Sequence, residues 1–227
     1  MKILAIDSSS KSASAAITEG EKVLGEVFLN VGLTHSETLT PMLEYLIKST
    51  GLKPSDIDCF ALTIGPGSFT GIRIGAAAVK GMAQAQNKKC VPVSTLEAIA
   101  YVYRDFDGIV CPVMDARCNQ VYTAAFEKGA RLFDDSAVLI DELREKLSVS
   151  GKKTVFVGDG AELVFERVKD SLDCVRAKSE NEFPHASSVA LLAAENIESA
   201  LDAGQITPVY LRLPQAQREL NNKMKVE

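Results

Sequence analysis

An internal repeat constrains this chain more than any other feature of its sequence. Residues 2–17, KILAIDSSSKSASAAI, and residues 110–126, VCPVMDARCNQVYTAAF, share one logic. In each, an apolar strand ends on an aspartate (Asp7, Asp115), a polar turn follows, and a second strand returns. The first copy continues through KVLGEVFLN (22–30) into a helix from Ser36. There Leu39, Met42, Leu43, Leu46 and Ile47 recur at helical spacing, and Gly51 sits at the C-cap position. Strand CFALTI (59–64), a second helix, strand CVPV and helix STLEAIAYVY complete this half. The second copy leads through SAVLI to a helix from Asp141, strand KTVFVG, a helix from Ala161, strand CVRA and an alanine-rich helix over 186–203. The pattern predicts an α/β fold of two duplicated subdomains, each a strand meander with crossover helices. The expected boundaries are 1–105 and 106–213, joined near 104–109, with a polar tail at 214–227.

The 227 residues suffice for a core without staples, since a chain of this size buries roughly 70% of its unfolded surface. A net charge of −5 and the lack of a basic run argue against the chain gripping nucleic acid by itself. MKILAID is too short for a signal-peptide core, and no stretch approaches the roughly 20 apolar residues that span a bilayer, so a cytoplasmic protein without membrane contact is expected. The five cysteines form no C-x-x-C pair and read as core thiols. The two histidines, His35 and His185, have no second ligand at helical or hairpin spacing, and His35 reads as a surface residue ahead of its helix. Neither a metal site, a catalytic triad nor a cofactor is expected.

GPGSFTGIRIGAAAVKGMAQ (65–84) resembles a phosphate loop opening a helix. Its glycines at 65, 67 and 71 are spaced one residue too long for the dinucleotide fingerprint, and Ile72 and Arg73 stand where a P-loop needs Lys and Ser/Thr. Two readings stay open: an anion nest helped by Ser68, Thr70 and Arg73, or a turn capped by Ser68 or Thr70. The helix itself carries two apolar faces. Ile72, Ala76, Val79 and Ala83 form one; Ile74, Ala77, Ala78, Gly81, Met82 and Ala85 form the other. A sheet covers one such face, which leaves the second for another helix of the chain or for a different protein. Gly75, Ala78 and Gly81 are small enough to let a neighbouring helix come close.

Asp7 and Asp115 each end a strand at a hairpin and are placed to face one another across a cleft. Such hairpins can hold a magnesium nucleotide; alternatively each aspartate caps its own turn, since DSSSKS and DARCNQ lack glycines to admit phosphate closely.

The stretches ILAIDSSS, HSETLTPML, GPGSFTGIRIG, MDARCNQVY, VGDGA and PVYLR occur in the order seen in the bacterial TsaB (YeaZ) family, a resemblance running from residue 3 to about residue 212. It implies an actin-like, Hsp70-like and sugar-kinase-like (ASKHA) fold, and a part in forming the threonylcarbamoyl group on adenosine 37 of tRNAs that read codons beginning with A. It further implies a non-catalytic scaffold for the transferase paralogue TsaD, completed by an ATPase partner, TsaE, with tRNA contacted only through the complex. The paralogue's H-x-x-x-H motif has no counterpart here, because Leu39 stands four residues beyond His35. The family's heterodimer contact matches helices 36–50 and 70–86, with Met42, Tyr45, Ile74, Gly75, Ala77, Ala78, Gly81, Met82 and Ala85 as interface residues. The resemblance also implies that the same surface makes a homodimer of the isolated chain. Asp7, Ser9, Ser68, Thr70, Arg73 and Asp115 are the contacts left for a vestigial nucleotide or anion. The rival functions are an actin-like ATPase or kinase using Asp7 and Asp115 and, weakest, a peptidase.

Overall fold

The computed structural model describes residues 1–178 and 181–212. Its first sheet takes β1 (Lys2–Asp7), β2 (Ala13–Glu19), β3 (Lys22–Leu29), β4 (Cys59–Thr63) and β5 (Lys89–Val93). Its second takes β6 (Ile109–Asp115), β7 (Gln120–Glu127), β8 (Ala130–Leu139), β9 (Thr154–Val157) and β10 (Cys174–Arg176). The two run in the same order, β5-β4-β1-β2-β3 and β10-β9-β6-β7-β8. In both, the leading hairpins are antiparallel and the crossover strands parallel, so the repeat seen in the sequence is a repeat of topology.

Period-two alternation builds two cores on the first sheet. Leu4, Ile6, Phe60 and Leu62 face α1 (His35–Thr50) and α2 (Phe69–Gln86), while Ile3, Ala5, Cys59 and Ala61 face the opposite side. Each fully buried Leu, Ile or Phe contributes about 1.5–3 kcal/mol, so the stripe Leu39, Leu43 and Leu46 is sufficient to hold α1 on the sheet. The second sheet carries α4 (Ile140–Ser148) and α5 (Ala161–Val168) on one face. Between the halves lies α3 (Thr95–Ala100), with Ala98 packed on the first sheet's core and Leu96, Ile99 and Ala100 on the second's.

The C-terminal stretch departs from the expected division. The helix expected over 186–203 ends at Glu195, as α6 (Ala186–Glu195). Asn196 turns its side-chain amide back to the Leu192 carbonyl at 2.9 Å, competing with the helix, and a short 3-10 turn follows. Then β11 (Leu201–Asp202) pairs antiparallel with β5 and becomes the edge of the first sheet. Val189, Ala190 and Ala193 of α6 fill that sheet's second face. The second subdomain is therefore not the continuous stretch 106–213: from residue 186 the chain has returned to the first half. The tail expected at 214–227 lies outside the described residues.

All five cysteines are free thiols. Burial pushes Cys90 up to about 11 and Cys111 up to about 12, which makes both inert packing groups. No helix among the described residues is long and apolar enough to cross a membrane.

Candidate functional site

The β1–β2 and β6–β7 hairpins point at one another across a cavity of about 740 Å³ between the halves. Ser9, Ser10, Lys11, His35, Gly67, Ser68, Thr70 and Gly71 line one wall; Met114, Asp115, Ala116, Arg117, Tyr122 and Asp159 line the other. Of the six residues read as nucleotide or anion contacts, Ser9, Ser68, Thr70 and Asp115 meet here. Asp7 and Arg73 do not line it.

Asp7 is 0% exposed beneath the hairpin. Its Oδ1 accepts from the Ser9 amide at 3.2 Å, the Ser9 hydroxyl at 2.6 Å and the Thr63 hydroxyl at 2.6 Å. Its Oδ2 is buried without a hydrogen-bond partner among the described residues. Burial raises its pKa, and the Ser9 and Thr63 hydrogen bonds only partly oppose that. Asp115 stands at the opposite wall, half-buried, with Oδ1 accepting from the Arg117 amide at 2.7 Å. The Asp115 amide in turn donates to Asp159 Oδ1 at 3.1 Å, and burial, with the Asp115 charge added, raises the Asp159 pKa.

The glycine-rich loop is shaped by its own chain. At Gly67, with φ of 154°, a Cβ would overlap the Ser9 carbonyl oxygen; at Gly71 and Gly75 it would overlap Ser8. The Ser68 amide, a donor that an anion nest would use, donates to the Ser9 carbonyl at 2.6 Å. Ser68 is also the N-cap of α2, its hydroxyl accepting from the Gly71 amide at 3.2 Å, while Thr70 lies in the first turn. Arg73 turns away from the cleft, its guanidinium 3.8 Å over the Phe69 ring and its Nε donating to Tyr210 Oη at 2.8 Å. The place of Arg73 among the anion contacts is corrected accordingly.

His35 is also placed differently from expectation. It is half-buried, with Nε2 bonded to the Ser10 carbonyl at 2.9 Å and its ring against Gly71, so it clamps the start of α1 to the hairpin. Asp159 was not singled out as a site residue; its only signal was the short stretch VGDGA.

Two interface residues also need correction. Gly75 is buried against Ser8, and Met42 is 3% exposed in the core, so neither is available to another protein. The outer surface of α1 and α2 presents Tyr45, 65% exposed, with Ala77, Gly81 and Ala85 exposed and Ile74, Ala78 and Met82 half-buried. Val31 and Leu33, in the loop before α1, are also exposed, and Leu33 and Ile74 line the cleft. Around Gly81 nothing lies within 4 Å of where a Cβ would stand.

Residues 29–219 match the family model described as TsaD, tRNA N6-adenosine threonylcarbamoyltransferase. A relative in Bacillus subtilis, named tRNA threonylcarbamoyladenosine biosynthesis protein TsaB, is 31% identical over 96% of both chains. A solved Pseudomonas aeruginosa structure, described as similar to the peptidase YeaZ, superposes with a TM-score of 0.80 at 26% identity, covering 93% of this chain and 99% of that one. The hexokinase of the ROK type from Thermus thermophilus, at 12% identity and a TM-score of 0.53, shares the fold alone over 87% of this chain and 99% of its own. These matches, together with the paired sheets and facing hairpins of an ASKHA fold, show that the chain belongs to the TsaB family, whose members carry the name tRNA threonylcarbamoyladenosine biosynthesis protein.

Proposed function

We propose that this chain is a non-catalytic scaffold in the formation of threonylcarbamoyladenosine on tRNA, acting in the cytoplasm by binding and stabilising a TsaD-type transferase. The observation that carries this reading is the row of small exposed residues along α2, Ala77, Gly81 and Ala85, on a helix whose other face already fills the core, together with exposed Tyr45 on α1. Small residues there let a partner helix approach to backbone distance, and the surrounding apolar atoms gain by leaving water. A TsaE-type ATPase completes the assembly. With a net charge of −5 the chain leaves phosphate contacts with tRNA to its partners. The isolated chain uses the same surface to form a homodimer.

The test is binding of the tagged chain to its TsaD-type partner. Gly81→Arg is expected to weaken that association by about 10–100-fold, because a long charged side chain must then be accommodated in a close contact. At a concentration where parent and variant are both monomeric, the unfolding midpoint of Gly81→Arg is expected to stay within about 2 °C of the parent, since Gly81 faces open space and arginine is the better helix former. Undiminished binding by both Gly81→Arg and Ala78→Arg would overturn the scaffold reading at this surface.

The rival reading, an ATPase or kinase, draws on the cleft with Asp115 and Asp159 on its wall. Against it stands the loop geometry, in which Ser9 already takes the Ser68 amide. Calorimetry of the isolated chain with ATP and magnesium is expected to show no binding heat. Micromolar binding that disappears in Asp115→Asn, on the cleft wall, would favour the enzyme instead.

A further inference from the structure

Among the described residues the main chain crosses from the first half to the second between α3 and β6 and returns between β10 and α6. Side chains join the halves near α3, where the Ser94 hydroxyl meets Asp135 Oδ2 at 2.5 Å and Arg131 meets Glu97 at 2.9 Å. None of these four residues lines the cleft between the hairpins, so they form a seam away from its opening. A different crossing occurs at the cleft wall. Arg212 Nη1 donates to the carbonyl oxygen of Ala116, in the turn joining β6 to β7.

The residues ahead of Arg212 are anchored to the first half at successive points. Ile206 is buried in the core under α1 and α2. The Val209 amide donates to the Ile64 carbonyl at 2.8 Å, and Gly65, lacking a Cβ, leaves the room that the Val209 carbonyl occupies. Tyr210 packs on Phe69 with ring centroids 4.5 Å apart and accepts from Arg73. The far end is also defined: the turn at Ala116 is closed by its own amide donating to the Gln120 carbonyl at 3.0 Å. A segment fixed at one end and holding the opposite wall by one charge-assisted hydrogen bond is arranged as a latch across a hinge.

We propose that residues 206–212 are a strap that sets how far the cleft opens, with Arg212 as its latch and the seam at α3 as its hinge. Opening of the cleft about that seam separates Ala116 from Arg212. A binding partner that lifts the strap from Gly65 therefore frees the second half to move.

The test places probes on the two walls. Cys118, exposed in the β6–β7 turn, serves as one site and Lys11→Cys, exposed in the β1–β2 turn, as the other, with half-buried Cys174 replaced by serine. Distances between spin labels are read by pulsed electron resonance on the full chain. One narrow distribution is expected with Arg212 present. In Arg212→Ala a longer component is expected to grow about tenfold in population, the size set by loss of one charge-assisted hydrogen bond. A chain ending at Arg212 is expected to keep the narrow distribution, and one ending at Leu211 to match Arg212→Ala. Both shortened chains retain Ile206, Val209 and Tyr210, so their unfolding midpoints report whether the fold is intact. An unchanged distribution in Arg212→Ala, or opening caused by removal of residues 213–227 alone, would overturn the proposal.

Discussion

Gly67→Ala is expected to destabilise the chain by about 3–5 kcal/mol, lowering the unfolding midpoint by roughly 10 °C. Two costs combine at this position. The backbone φ of 154° is one that residues with a Cβ rarely adopt, and the added methyl would overlap the Ser9 carbonyl oxygen, which already accepts from the Ser68 amide at 2.6 Å. Relief requires the loop to lift from the β1–β2 hairpin, and that breaks the contact positioning the start of α2. Gly81→Ala within α2, the helix that this loop opens, provides the control, because it meets no atom and is expected to stabilise slightly. Equal midpoints for Gly67→Ala and Gly81→Ala, by thermal unfolding monitored with circular dichroism, would show that the loop is not packed in this way.

Asp7→Ala is the second large effect, expected to cost about 2–4 kcal/mol. It strips the acceptor from the Ser9 amide, the Ser9 hydroxyl and the Thr63 hydroxyl in a place closed to water, and each buried donor left unmade costs about 1–3 kcal/mol before relaxation. Asp7→Asn keeps an acceptor oxygen at that position and is expected to lose less than about 1 kcal/mol. The pH dependence separates these variants further. Burial raises the folded pKa of Asp7 above the ordinary aspartate value of 3.8, so the folded state binds the proton more tightly than the unfolded chain. The resulting stabilisation is fully present below the unfolded value and is lost as pH rises through the folded value. Stability of the parent relative to Asp7→Asn is thus expected to increase as pH falls from neutral towards 3.8. Denaturant titrations at several pH values read this directly. A parent that loses ground to Asp7→Asn on acidification would mean that Asp7 is held as a carboxylate, as a cation ligand would be.

The duplication was legible because strand, aspartate, turn and strand recur as a local pattern, and local pattern is what a linear sequence displays. Helix ends were legible for the same reason: Gly51 caps by adopting a φ of 69° that a residue without a Cβ reaches freely, and Ser68 caps through its hydroxyl, as their residue types suggest. The direction in which a glycine faces was not. Gly75 shares α2 with Gly81, yet one is pressed on Ser8 and the other opens to solvent. A residue without a side chain adds nothing to helical periodicity. Met42 shows the reverse error. Its spacing with Leu39, Leu43 and Leu46 already assigned it to the core stripe, and the family resemblance moved it outward. Neither the return of α6 and β11 to the first sheet nor the reach of Arg212 to Ala116 leaves a local trace, since both join residues about a hundred positions apart.

That return has a consequence for the order in which the protein forms during synthesis. When residues 1–105 have left the ribosome, β1, β2, β4 and β5 can pair and α1 and α2 can cover one side, but Ile3, Ala5, Cys59, Ala61 and Val91 on the other side await α6. The whole second sheet must emerge before Val189, Ala190 and Ala193 arrive to cover them. The nascent chain therefore carries an uncovered apolar sheet face through more than a third of its elongation, an interval in which chaperone binding competes with misassociation.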